Sequence, residues 1–127
     1  MFTPGYVIAL NAKNSFLFNP DKVDFYKTLA NKLYDQLNTL LDENSVLVMP
    51  TFPIPAPYHN EMYVLIGSCS YTSIFNVLGL PVTQCPIGLN KQGLPLGVQI
   101  VGRSGNDPLT ISCALEIEKA FGGWKSP

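Results

Sequence analysis

Residues 71–89 read Tyr71-Thr72-Ser73-Ile74-Phe75-Asn76-Val77-Leu78-Gly79-Leu80-Pro81-Val82-Thr83-Gln84-Cys85-Pro86-Ile87-Gly88-Leu89. Residues 93–102 continue Gly93-Leu94-Pro95-Leu96-Gly97-Val98-Gln99-Ile100-Val101-Gly102. The start of this stretch completes an apolar, nearly charge-free segment, with Val64, Leu65, Ile66, Ile74, Phe75, Val77 and Leu78, which predicts a buried helix over residues 64–78. Gly79 and Pro81 end it, since a glycine takes the left-handed backbone that closes a helix and a proline cannot continue one. Val82–Ile87 and Leu96–Val101 then flank a polar, glycine-containing stretch, Gly88–Gly93. That arrangement predicts two antiparallel strands joined by a hairpin loop.

Upstream, Asn19-Pro20-Asp21 is a helix start, with Asn as cap, Pro at the first position and an acid in the first turn. Val23, Tyr26, Leu29, Ala30, Leu33, Leu37, Leu40 and Leu41 follow in steps of three and four, the face of a long helix ending near Asn44. Ser45–Pro50 is a short apolar run whose length and valines predict a buried strand. Pro50, Pro53, Pro55 and Pro57 come next and predict a stiff, extended connector. Their Pro50-x-x-Pro53 spacing also matches the core of an SH3 ligand, but no Arg or Lys flanks it, which favours the connector. Downstream, Asp107-Pro108 opens another helix, with Asp107 and Thr110 as a partial capping box. Leu109, Cys113, Ala114, Ile117, Ala120 and Phe121 mark its buried face, and Gly122-Gly123 stops it. Residues 1–18 are apolar with scattered polar positions, and Val7–Leu10 fits a short helix or a strand equally.

The 127 residues suit a single domain. Apolar residues make up 46% and charged residues only 13%, against about 25% charged in a typical soluble chain. Disorder is thereby excluded. Eight Lys and Arg against nine Asp and Glu leave no basic excess for phosphates, which excludes a nucleic-acid partner. So few charges cannot cover the surface of a free-standing domain. Another chain, a membrane or a missing remainder of the same domain must cover part of it. No apolar run approaches the ~18 residues of a membrane span, and the N-terminus has neither the basic region nor the apolar core of a signal peptide.

Self-sufficient chemistry is missing. Cys69, Cys85 and Cys113 are odd in number and lack a Cys-x-x-Cys pair, which predicts reduced thiols rather than a disulfide framework or a cysteine zinc site. His59 is the sole histidine, so no metal pair is expected; its pairing with Cys69 would need something to lower the thiol pKa, and an apolar helix offers nothing. No nucleophile elbow, Walker loop, dinucleotide fingerprint or His-Glu-x-x-His is present. Glu116 and Glu118 sit two apart on a helix and so face different ways, as solvated charges do.

The quoted stretch resembles the C-terminal part of the amidase signature family, whose pattern there is Asn-x-x-Gly-x-Pro, a strand ending Pro-x-Gly, and Gly-Leu-Pro-x-Gly-x-Gln. Pro81-Val82-Thr83-Gln84-Cys85-Pro86 and the ending Phe121-Gly122-Gly123-Trp124 are similar to its fatty-acid amide hydrolase 2 branch, as are the proline stretch and the helix before it. The resemblance implies an α/β fold, the C-terminal part of a mixed-sheet α/β/α architecture. It implies that residues 1–127 are a C-terminal fragment of one amidase domain. The family hydrolyses amides with a nucleophilic Ser, a second Ser that relays the proton and a Lys base, which requires a neutral Lys in a dry site and backbone donors for the oxyanion. The family's Gly-rich segment with two adjacent serines has no counterpart here. No catalytic residue is therefore expected in this chain, and Lys13, Lys22, Lys27, Lys32, Lys91, Lys119 and Lys125 are not cast as the base. By the same resemblance Ile66, Cys69 and Ser73 line an acyl channel; their i, i+3, i+7 spacing puts them on one helical face. The implied partner of the full-length enzyme is a fatty-acid amide, with no cofactor and no metal. A homodimer, an intracellular location and membrane attachment of the parent through an N-terminal segment stay open. The competing expectation is a truncated, non-catalytic product that associates through its exposed sheet. Either way, the chain alone should be inactive and should aggregate.

Overall fold

The computed structural model describes residues 20–61 and 65–126. The expectations for Val7–Leu10, for Asn19 as a cap and for Val64 lie outside them. The chain divides into two units, residues 1–34 and 35–127. The described part of the first is the beginning of helix α1 (Pro20–Leu40), where Phe25 and Tyr26 meet edge to face with ring centroids 5.5 Å apart. Pro20 opens the helix as expected. It stops at Leu40 rather than at Asn44, because the Asp42 carboxylate turns the chain first: its Oδ1 accepts from the Asn44 amide at 2.8 Å and from Ser45 Oγ at 2.6 Å. Of the expected apolar face, Leu41 is fully buried in the second unit, while Val23, Tyr26, Leu29 and Leu40 are exposed.

The second unit is built on a sheet of β1 (Leu47–Pro50), β2 (Val82–Leu89) and β3 (Pro95–Val101) in the order β1-β3-β2. Both pairings are antiparallel. The fold is α/β, as the sequence implies; the pairings among the described strands are the antiparallel part of such a sheet, and β1 and β2 are its edges. Asn90 closes the β2–β3 hairpin. Its Oδ1 accepts from the amides of Gln92 and Leu94, both at 2.9 Å, and Gly93 supplies the positive φ of 81° that the turn requires. Between Pro86 and Gly88 the register slips by a bulge, where Pro86 has no N–H for the ladder and Gly88 takes φ 126°.

Opposed residues share a face of the sheet. Met49, Gln99 and Gln84 lie on one face; Val48, Ile100 and Thr83 lie on the other. Helix α2 (Ser70–Leu78) meets the first face and helix α3 (Asp107–Phe121) the second. The core lies at this junction, where Ile100, Val101, Cys85, Phe75, Leu78 and Leu80 are buried.

The apolar segment over 64–78 is not one buried helix. Ile66–Cys69 is a 3₁₀ turn and α2 begins only at Ser70. Gly67 weakens helix formation, and Ser70 Oγ donates back to the Gly67 carbonyl at 2.8 Å, a local bond that competes with the helical ladder. Only Phe75 and Leu78 of α2 are buried, while Val77 is 74% exposed. The C-terminus does follow the sequence: Gly79 has φ 64°, its amide bonds Asn76, and the Leu80 amide bonds Phe75. This pair of bonds, with Phe75 against Leu80, is a Schellman closure.

Helix α3 is capped by Asn106 rather than Asp107. The Asn106 side-chain amide instead donates to the Glu43 carbonyl at 2.9 Å, pinning the start of α3 to the turn after α1. Of its expected buried face, Leu109, Cys113, Ala114 and Ile117 are half-buried, and Ala120 and Phe121 are exposed. The fully buried residue is Thr110, which accepts from Thr83 Oγ1 at 2.9 Å and donates to the Asp107 carbonyl at 2.8 Å. A polar residue is buried there because both ends of its hydroxyl are satisfied. Gly122, with φ 79°, ends α3 by an amide bond to Glu118 of 2.8 Å.

Candidate functional site

The strongest polar feature is a buried glutamine at the centre of β3. Gln99 is only 2% exposed. Its Nε2 donates to the Pro50 carbonyl at the end of β1, at 3.1 Å, and to the Tyr71 carbonyl in the first turn of α2, at 2.8 Å. One side chain therefore fixes the start of the proline segment and the start of the helix that carries Ser73. The sequence signal was present, a Gln between Val98 and Ile100, but its role depends on contacts that no spacing reveals.

Beside this junction the proline segment turns across the hairpin. It bends through Thr51–Pro55 instead of running extended. Pro50 is a strand residue whose carbonyl is already used by Gln99, which leaves the Pro50-x-x-Pro53 spacing as connector structure. The segment and the hairpin enclose a groove of about 800 Å³, with walls that include Pro50, Phe52, Ile54, Leu96, Val98 and Trp124. Its polar side chains are Thr51 and the exposed Gln84, whose Oε1 accepts from Thr51 Oγ1. The Gln84 amide lies across Gly97, where any β-carbon would collide with it. That space explains the glycine in Pro-Leu-Gly-Val.

Ile66 and Cys69 belong to the 3₁₀ turn and Ser73 to α2. The side chain of Ile66 lies outside what the structure describes. Cys69 is half-buried and Ser73 exposed, and neither lines the groove. Among the described residues no titratable cluster accompanies them. His59 is exposed. Glu116 is exposed and pairs with Lys119 at 2.6 Å, a solvated ion pair along one helix. The Cys85 thiol sits under α3, with Sγ 3.5 Å from the Ala114 carbonyl, and burial pushes its pKa up, with a smaller push from Glu118. A thiol so placed is a core group, not a nucleophile. Among the described residues no helix is long and apolar enough to cross a membrane.

The family model described as amidase matches residues 17–111. The chain belongs to the amidase family. Among amidase-family relatives, fatty-acid amide hydrolase 2-A of Danio rerio is 50% identical over 81% of this chain and 19% of its own length. Fatty-acid amide hydrolase 2 of Homo sapiens is 41% identical over 87% of this chain and 21% of its own length. The chain thus spans about one fifth of these relatives. A crystal structure of an amidase superposes with a TM-score of 0.77 at 22% identity, covering 95% of this chain and 29% of that one. The structure of a 6-aminohexanoate cyclic dimer hydrolase gives 0.68 at 27% identity, over 89% of this chain and 26% of that one. The amidase fold of the described α/β unit follows from these superpositions.

Proposed function

We propose that residues 1–127 form the C-terminal part of a single domain of a serine amidase that hydrolyses the amide bond of apolar, fatty-acyl amides. The observation that carries this is the 41–50% identity to two proteins named as fatty-acid amide hydrolases, over more than four-fifths of this chain and about one fifth of theirs. In this reading the nucleophile, the relay serine and the lysine base belong to sequence outside these residues, and the chain supplies scaffold and wall. The 3₁₀ turn and α2 would present Ile66, Cys69 and Ser73 to the acyl channel, and the exposure of Ser73 and Val77 suits a face that more of the domain would cover.

The isolated chain, offered a fluorogenic long-chain amide, should give no turnover. Turnover abolished by a serine-directed inhibitor would overturn the assignment of catalysis to other sequence. Reading the coding sequence upstream of Met1 for an in-frame Gly-rich Ser-Ser segment tests the fragment directly. The joined domain should then prefer long-chain to short-chain amides, and the reverse preference would overturn the substrate class. A stop codon upstream instead favours the association module, for which the edges of β1 and β2 are the available surface.

A further inference from the structure

We draw no further inference here: the strongest candidate, the buried Gln99 side chain that ties the centre of β3 to the end of β1 and the first turn of α2, belongs to the clamp already described, and nothing in the structure shows what covers the exposed face of α2 that it holds.

Discussion

Gln99 donates to the main-chain carbonyl of Tyr71 across 2.8 Å, so a strand residue holds the first turn of a helix that packs on its sheet. The same nitrogen holds Pro50 at 3.1 Å. Replacing Gln99 by Leu removes both hydrogen bonds, and a typical intramolecular hydrogen bond contributes about 0.5–1.5 kcal/mol. Gln99→Leu should therefore lower unfolding stability by roughly 1–3 kcal/mol, read from the urea midpoint. Gln99→Glu should be worse at neutral pH, because it presents a charge and a second acceptor to those carbonyls. If Gln99→Leu unfolds at the wild-type midpoint, the junction is not the clamp described.

Thr110 makes a comparable test beneath the other face. Its hydroxyl accepts from Thr83 and donates to Asp107. Thr110→Val preserves shape and strands the Thr83 hydroxyl, with an expected loss of about 1–2 kcal/mol. Thr110→Ser keeps the oxygen and should recover most of that loss. Equal effects of the two substitutions would show that volume, not the hydroxyl, matters at this position.

The close approach at Gly102 predicts a different signature. A β-carbon there would lie 2.7 Å from Thr110 Cγ2. Overpacking of this kind costs about 1–3 kcal/mol. Gly102→Ala should be destabilising on its own and much milder in a Thr110→Ser background, where that methyl is gone. Additive effects in the double-mutant cycle would contradict the contact.

These cases also mark how far the sequence could be read. The hairpin, the glycine closure at Gly79 and the stop at Gly122 were legible because backbone chemistry at single residues decides them. The extent of the second helix was not, since a continuous apolar composition cannot register that Gly67 and Ser70 convert its first turn to a 3₁₀ turn. The end of the first helix was missed because the Asp42 side chain captures Asn44 and Ser45, a competition that apolar periodicity does not see. The burial of Thr110 escaped a search for apolar faces for the same reason that Gln99 did: each is buried through its hydrogen bonds. The groove was hidden in a proline run that reads as a straight connector and in fact bends over β3. Membership of the amidase family, by contrast, was fully legible in residues 71–102.

The turn at Asp42 should respond to acid. Its carboxyl is held below the ordinary value of 3.8, first by the Ser45 hydroxyl and then by the Asn44 amide. A depressed folded-state pKa means that the ionised form favours the fold, so the contribution is present above about pH 3.8 and is lost as pH falls through the lower, folded value. Asp42→Asn keeps an acceptor oxygen and should remove this pH dependence while retaining the turn. Carboxyl titration by NMR, with Asp42 titrating at or above the ordinary value, would contradict the hydrogen bonds.

Cysteine reactivity should separate the core from the surface. Burial raises the Cys85 pKa above the ordinary 9.0, so at pH 8 the thiol is protonated and shielded, while Cys69 and Cys113 are half-buried. Iodoacetamide should label Cys69 and Cys113 first and reach Cys85 only after unfolding. The sign for stability is opposite to that of Asp42: the contribution from Cys85 is complete below pH 9.0 and is lost as pH rises through the raised value. Prompt native-state labelling of Cys85 would place it outside the core.

One stripe of the outer face of α3 is apolar, beside the charged Glu116 and Lys119. Ile111 and Leu115 are 53% and 51% exposed, one helical turn apart, and Val77 of α2 and Trp124 are exposed at 74% and 70%. Single exposed apolar residues are ordinary, but a run of them along helices on both sides of one small sheet leaves surface that water covers poorly. The edges of β1 and β2 add unpaired backbone groups next to it. The isolated chain should therefore self-associate at micromolar concentration, seen as a rising mass in light scattering with increasing load. Ile111→Lys with Leu115→Glu breaks the patch on α3 and leaves the core untouched, so it should shift the distribution toward monomer without lowering the unfolding midpoint. If the double variant associates as strongly as the parent, the strand edges are the dominant contact, and charges placed at Val48 and Val82, both exposed on those edges, should then be the substitutions that restore the monomer.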